Sequence, residues 1–164
     1  MPLDAITMTA LADELRAALL GGKIDKIYQP TRDEAVLHMR TGSGNVKLLL
    51  SANPGHPRAQ LTAVIREKPE TPPMICMLLR KYLSGGIIEE VEQIPLERVV
   101  KLHISAADEM GERSRFSLIL EAFPRRANII LTDREGRVLD CLRRIDLEMN
   151  PDRQVLPGLF YRLP

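Results

Sequence analysis

The residues in this chain best suited to chemistry are its arginines and lysines. Arg125, Arg126, Arg58, Arg80, Lys81, Lys23 and Lys26 could form a phosphate-facing patch if the fold gathers some of them. A guanidinium carries five donors in a rigid fork that matches a phosphate, and each such contact adds salt-dependent affinity rather than sequence choice. The segment FPRRAN at 123–128 is the strongest piece, because two adjacent arginines in a turn protrude from the rigid sheet that carries it. The competing reading is a solvated face of mixed charge. Net charge is only +1, from 23 basic and 22 acidic residues, so any polyanion site must be local rather than the product of a bulk field.

Other chemistries find little support. His38, His56 and His103 are scattered without HxxxH, CxxC or paired His–carboxylate spacing, and neither a metal nor a cofactor is expected. His38 and His103 fall in alternating segments and read as structural; His56, in a loop with Asn53 and Arg58, is the histidine with a surface role open to it. Cys76 and Cys141 sit far apart in apolar contexts and read as buried free thiols. The GxG at 42–44 marks a turn, since no GK[ST] follows, and no GxSxG elbow occurs. With no Trp, three Phe and three Tyr, the chain can hardly build the aromatic platform on which single-stranded RNA stacks.

The elements that must position these residues follow from periodicity. The 164 residues, 45% hydrophobic and 27% charged, suit one domain with a core of Leu, Ile, Val, Met and Ala. Leu11, Leu15, Ala18 and Leu19 recur at helical spacing and predict a helix over 6–21, with Asp4 able to cap it and Gly21-Gly22 ending it. PETPP at 69–73 sets up a second helix over 72–83, whose Met74, Met77 and Leu78 are core by default, and Gly85-Gly86 closes it. Strands are predicted over 23–30, 34–40, 46–50, 87–93, 98–106, 115–121, 128–132 and 138–145, with a further short one over 58–64. The sum is an α+β domain: about eight strands in an antiparallel, sandwich-like core with two helices. No internal repeat is visible, and the tail at 150–164 is Pro-rich and irregular. Without a signal peptide or a long apolar run, a cytoplasmic location and no membrane partner are the default expectations.

Six segments taken in order resemble one known domain: IDKIYQP (24–30), KLLLSANPGHPR (47–58), PETPPMICMLLRKYLSGG (69–86), ERVVKLHI (97–104), RRANIILTD (125–133) and VLPGLFY (155–161). Together they are similar to the NFACT-N domain of the RqcH/NEMF ribosome quality-control family, over nearly the whole chain. The resemblance implies a partner set: tRNA, and a large ribosomal subunit that retains peptidyl-tRNA. It also implies a role, recruiting aminoacyl-tRNA (alanine in bacteria) for template-free C-terminal tailing of stalled chains. Fuller members continue into helix-hairpin-helix, coiled-coil and NFACT-R domains, so residues 1–164 are expected to be an N-terminal fragment. The family ties an acid before the first helix and an Asp-Arg pair after the second to tRNA handling. The matching positions are Asp4 and Glu97-Arg98, where Glu replaces the family's Asp and moves the charge by one methylene.

Two rival classes follow from the same resemblance. Bacterial members often carry a fibronectin-binding label, which raises an adhesin with fibronectin as partner. The family fold is similar to the N-terminal domain of formamidopyrimidine-type DNA glycosylases, in which an N-terminal proline attacks the sugar. Met1-Pro2 could supply such a proline, but Leu3 stands where the glycosylase has an acid. A binding domain with no chemistry of its own is therefore the expected class, with Arg125, Arg126 and Arg58 as candidate RNA phosphate contacts.

Overall fold

The computed structural model describes residues 5–62, 74–94 and 97–164. Pro2, Asp4 and the PETPP segment lie outside them, as does the end of the strand expected over 58–64. The elements run α1 (Ala5–Leu19), β1 (Lys23–Tyr28), β2 (Glu34–Thr41), β3 (Gly44–Ser51), β4 (Arg58–Thr62), α2 (Met74–Leu83), β5 (Ile87–Gln93), β6 (Val99–Ala107), β7 (Arg113–Glu121), β8 (Asn128–Thr132) and β9 (Val138–Cys141). The class is α+β, with nine strands among the described residues rather than about eight, hydrogen-bonded in one antiparallel sheet of order β4-β3-β2-β1-β5-β6-β7-β8-β9. The last strand ends at Cys141 rather than 145: Leu142 N–H still reaches Ile129 O of β8 at 2.8 Å, and Ile145 then pairs with Val155 of the tail.

Both helices bury one stripe. Met8, Ala12, Leu15 and Leu19 of α1 are buried at the four- and three-residue spacing of a helical face. In α2 the buried set is Ile75, Cys76, Leu79 and Leu83. Met77, expected in the core, is 54% exposed, and Leu78 is half-buried. Hydrophobic identity does not say which stripe faces inward; the phase of the helix does. Met74's side chain lies outside the description.

The fold is internally duplicated, which overturns the absence of a repeat. Each half is a helix, a diglycine turn and an antiparallel meander. Gly21 and Gly85 both take φ +78, a conformation that penalises any Cβ. The turns bond reciprocally: Gly21 N–H donates to Ile88 O at 2.9 Å and Gly85 N–H to Ile24 O at 2.8 Å. Ile24 N–H then donates to Gly86 O (2.8 Å) and Ile88 N–H to Gly22 O (3.0 Å). The following strands bulge at the same place, Ile24/Lys26 and Ile88/Glu90. Further on, SANPGHPRAQLT at 51–62 and EAFPRRANIILT at 121–132 share Ala, Pro, Leu and Thr in register. In both, the alanine N–H reaches back to the residue before the second strand of its half, Ala52 to Asp33 O and Ala122 to Arg98 O, each at 2.8 Å.

The sheet curls until its halves meet. Five strand spacings separate β3 from β7, about 24 Å if flat, yet Arg125 N–H, just beyond β7, donates to Pro54 O, just beyond β3, at 3.0 Å. Inward residues of both meanders and both helices therefore share one apolar core, running from Leu48 and Leu37 through Ile24 and Ile88 to Leu102, Leu118 and Leu131. The expected sandwich-like core is instead one antiparallel sheet with two helices. On the outer face of the second half, Val99, Ile119, Ile130 and Val138 are covered by the tail through Val155 and Tyr161. The tail is pinned by Glu121, 2% exposed at its side chain, which accepts from both terminal nitrogens of Arg153 and from Tyr161 Oη at 2.6 Å.

The junction is tight at Gly86, where an added Cβ would lie 2.6 Å from Ile104 Cγ2 and 2.9 Å from Leu83 O. Gly86→Ala should lower the unfolding free energy by about 1–3 kcal/mol in urea denaturation, an overpacking cost. Gly42→Ala, with open space around the new methyl, should change it by less than about 0.5 kcal/mol.

Candidate nucleic-acid interface

The second half ends in a groove of about 570 Å³ at the mouth of the β7–β8 turn. Glu97, Phe123, Arg125, Arg126, Arg143 and Arg153 are among its lining residues. The groove arises because β6 starts beside the end of β7. The Ala122 N–H to Arg98 O bond clamps the 97–98 bend against residues 121–123, and Glu97 N–H closes the bend onto Ile94 O at 3.1 Å. So the structure brings together Glu97, Arg125 and Arg126, with Arg98 half-buried on the adjoining backbone.

Its arginines divide into two kinds. Arg143 serves the fold: its guanidinium donates to Ala52 O (2.9 Å) and Ala127 O (2.6 Å) and pairs with Asp33 at 2.7 Å. Its backbone is held by Asn128, whose Oδ1 accepts from Arg143 N–H and whose Nδ2 donates to Arg143 O, both at 2.9 Å. Arg153 neutralises the buried Glu121. Arg125 and Arg126 are exposed, and no acid among the described residues pairs with either. Glu97 and Asp152 are the lining acids without an arginine. Cations free to take a phosphate thus share a rim with a carboxylate free to accept from a base amino group.

The other expected cations are dispersed. Arg58 is 17% exposed at its side chain, donates to His56 O at 3.1 Å and lies 3.7 Å from the buried carboxylate of Glu34, outside the groove lining. Arg80 donates to Ile27 O at 2.7 Å, and Lys81 pairs with Glu109 at 3.4 Å. His56 sits on an exposed loop with its pKa below the ordinary 6.5, through desolvation first and the Arg58 charge second, so at neutral pH it adds no cation. His38 packs edge-on against Tyr28, and His103 donates or accepts at Ser117 Oγ, 2.8 Å away. Both cysteines are buried and free, and burial pushes the Cys141 thiol up to about 12.

A second, smaller cavity of about 380 Å³ lies on the outer face of β5–β8. There Glu90, Glu92 and His103 bring potential metal-ligating atoms within 4.8 Å of one another. These are cross-strand neighbours, which is why no linear spacing announced them. Glu90 is paired with Arg115 at 2.6 Å and Glu92 lies 2.7 Å from His103 Nε2, so both carboxylates already have protein partners.

The domain is thus an internally duplicated α+β fold whose second half carries a groove rimmed by Arg125 and Arg126. The chain belongs to the family described as NFACT N-terminal and middle domains, whose model matches residues 4–164. It is 42% identical over its full length to the Rqc2 homolog RqcH of Bacillus subtilis, covering 29% of that protein, and 29% identical over 97% of its length to the archaeal Rqc2 homolog of Methanocaldococcus jannaschii, covering 23%. Among solved structures it is similar to the N-terminal domain of fibronectin-binding protein PavA from Streptococcus pneumoniae. That match has TM-score 0.94 and 36% identity, covering 98% of this chain and 61% of that one. The N-terminal part of a fibronectin/fibrinogen-binding protein from Streptococcus suis matches with TM-score 0.95 and 37% identity, covering 99% and 61%. The chain therefore spans less than a third of the length of these curated relatives.

The two kinds of arginine should separate on mutation. Arg153→Ala strands the buried Glu121 carboxylate and should cost about 3–5 kcal/mol of stability, whereas Arg126→Ala should change stability by less than about 0.5 kcal/mol, both read from urea midpoints.

Proposed function

We propose that this domain binds tRNA for a ribosome quality-control factor, with the groove at Glu97, Arg98, Arg125 and Arg126 as the contact surface. The observation that carries the reading is that Glu97 lines one groove with the exposed Arg125-Arg126 pair, to which no described acid is paired, with half-buried Arg98 on the adjoining backbone. The pairing of β6 with β7 brings the two segments, 27 residues apart in sequence, side by side; one is identified through family resemblance and the other through its charge. Arg98 supplies a bidentate fork, Glu97 an acceptor beside it, and the arginine pair the phosphate-directed charge. Asp4 is assigned to the same tRNA contact by family position. Arg58, turned toward Glu34, contributes to RNA affinity only through the loop it steadies.

In the full-length protein, the partner is the large ribosomal subunit carrying peptidyl-tRNA. The task is recruiting aminoacyl-tRNA for template-free tailing in the cytoplasm, and peptide-bond chemistry stays with the ribosome. Among the described residues no helix is long and apolar enough to cross a membrane. The names of the two streptococcal structures favour one other reading, a fibronectin-binding surface protein. Direct binding to immobilised fibronectin at physiological salt, undiminished by excess tRNA, would support that reading.

The test of the leading function is tRNA binding by the chain, wild type against Arg98→Ala, across a salt series. A directed contact predicts a loss of about 1–3 kcal/mol for Arg98→Ala. Equal affinity at all salts removes Arg98 from the interface, and no wild-type binding removes the tRNA reading.

A further inference from the structure

Arg125 holds a backbone conformation that its side chain should avoid. It is the non-glycine residue with positive φ among the described residues, at 66°. Phe123–Pro124–Arg125–Arg126 is closed by Arg126 N–H donating to Phe123 O at 3.0 Å. Proline second and a left-handed third residue make this a type II turn, whose third position ordinarily takes Gly or Asn. The duplicated turn in the first half, Asn53–Pro54–Gly55–His56, closes through the same bond, His56 N–H to Asn53 O at 3.0 Å. There the third residue is a glycine, yet it is not left-handed. The half that has the permissive residue does not use it, and the half that needs it carries an arginine.

Packing explains the turn type but not the residue. The flipped central peptide of the type II turn directs Arg125 N–H to Pro54 O, the bond that joins the two halves at their far ends. A glycine would make the same turn and the same bond without the steric penalty of a Cβ in the left-handed region. What only arginine adds is the guanidinium, exposed at the groove with no acid among the described residues paired to it. Strain held where the fold gains nothing from the side chain marks a side chain used for something else.

Resting on the RNA reading above, we infer that Arg125 is a fixed anion hook. The strained turn sets the direction of its side chain, and its fork takes one RNA backbone phosphate through two parallel hydrogen bonds. Neighbouring Arg126 adds charge nearby without that constraint. A bidentate phosphate contact separates guanidinium from ammonium, because lysine keeps the charge and loses the fork.

The experiment measures urea midpoints and tRNA affinity over a salt series for wild type, Arg125→Gly, Arg125→Lys and, as a remote surface control, Arg134→Ala. Arg125→Gly should raise the urea midpoint while weakening tRNA binding about tenfold or more, and should reduce the salt slope by about one. Arg125→Lys should keep the slope and still lose severalfold in affinity, a split that a purely structural role would not produce. Arg134→Ala should match wild type. The hook is overturned if Arg125→Gly binds within twofold of wild type, or if it proves less stable, which would remove the strain. Absence of wild-type binding would instead overturn the RNA reading together with the hook.

Discussion

Everything in this molecule hangs on two diglycine turns that bond to each other's strands. Gly21 and Gly85 reverse the chain in a left-handed conformation, and Gly22 and Gly86 let the backbone pass where a methyl would collide. At Gly22 an added Cβ would stand 2.9 Å from Leu19 O, and at Gly86 2.6 Å from Ile104 Cγ2. Four reciprocal backbone bonds at this junction make β1 and β5 neighbours and so turn two meanders into one sheet. Each helix then reaches across to the opposite half's first strand, α1 chiefly on β5 and α2 on β1 as well as on β6 of its own half, which ties the halves together. The apolar core between them follows from that arrangement, and so does the meeting of the two distal turns at Pro54 and Arg125.

Function enters where the duplication is broken. The backbone position that accepts the alanine N–H carries Asp33 in the first half and Arg98 in the second. Asp33 is satisfied by Arg143, and the neighbouring Glu34 faces Arg58, so the first half is closed by ion pairs. The second half leaves Arg98 without such an internal acid among the described residues and opens a groove beside it. Of its two buried acids, Asp140 pairs with Arg144 at 3.4 Å, and Glu121 is answered by Arg153 and Tyr161 from the tail; burial first and the Glu121 carboxylate second hold that phenol's pKa well above the ordinary 10. The duplicated scaffold thus presents two unlike surfaces, set by different charges at matching positions and by the added β9 and tail of the second half.

Much of this was legible from the letters. Strand and helix placement followed from alternation, from the helical recurrence at Leu11, Leu15 and Leu19, and from the two diglycines. FPRRAN announced an exposed arginine turn, and that is where Arg125 and Arg126 stand. The repeat was also present in writing, in SANPGHPRAQLT and EAFPRRANIILT, but four shared residues in twelve are too few to see without the turns that align them. Met77 misled because hydrophobic identity does not fix helical phase. The long-range pairs Arg143–Asp33 and Arg153–Glu121 were out of reach, since nothing local specifies which of many arginines finds which buried acid. The cluster of Glu90, Glu92 and His103 was hidden for the same reason, being assembled across strands.

The central claim is that the open half, and not the closed half or the outer face of β5–β8, meets RNA. Amide hydrogen exchange of the chain with and without tRNA tests it most directly, by mapping where protection appears. The account predicts new protection at residues 97–98 and 123–128, with the 31–34 and 51–58 segments unchanged except where Pro54 touches Arg125. Protection centred on Glu90, Glu92 and His103, or spread evenly over both halves, would contradict it.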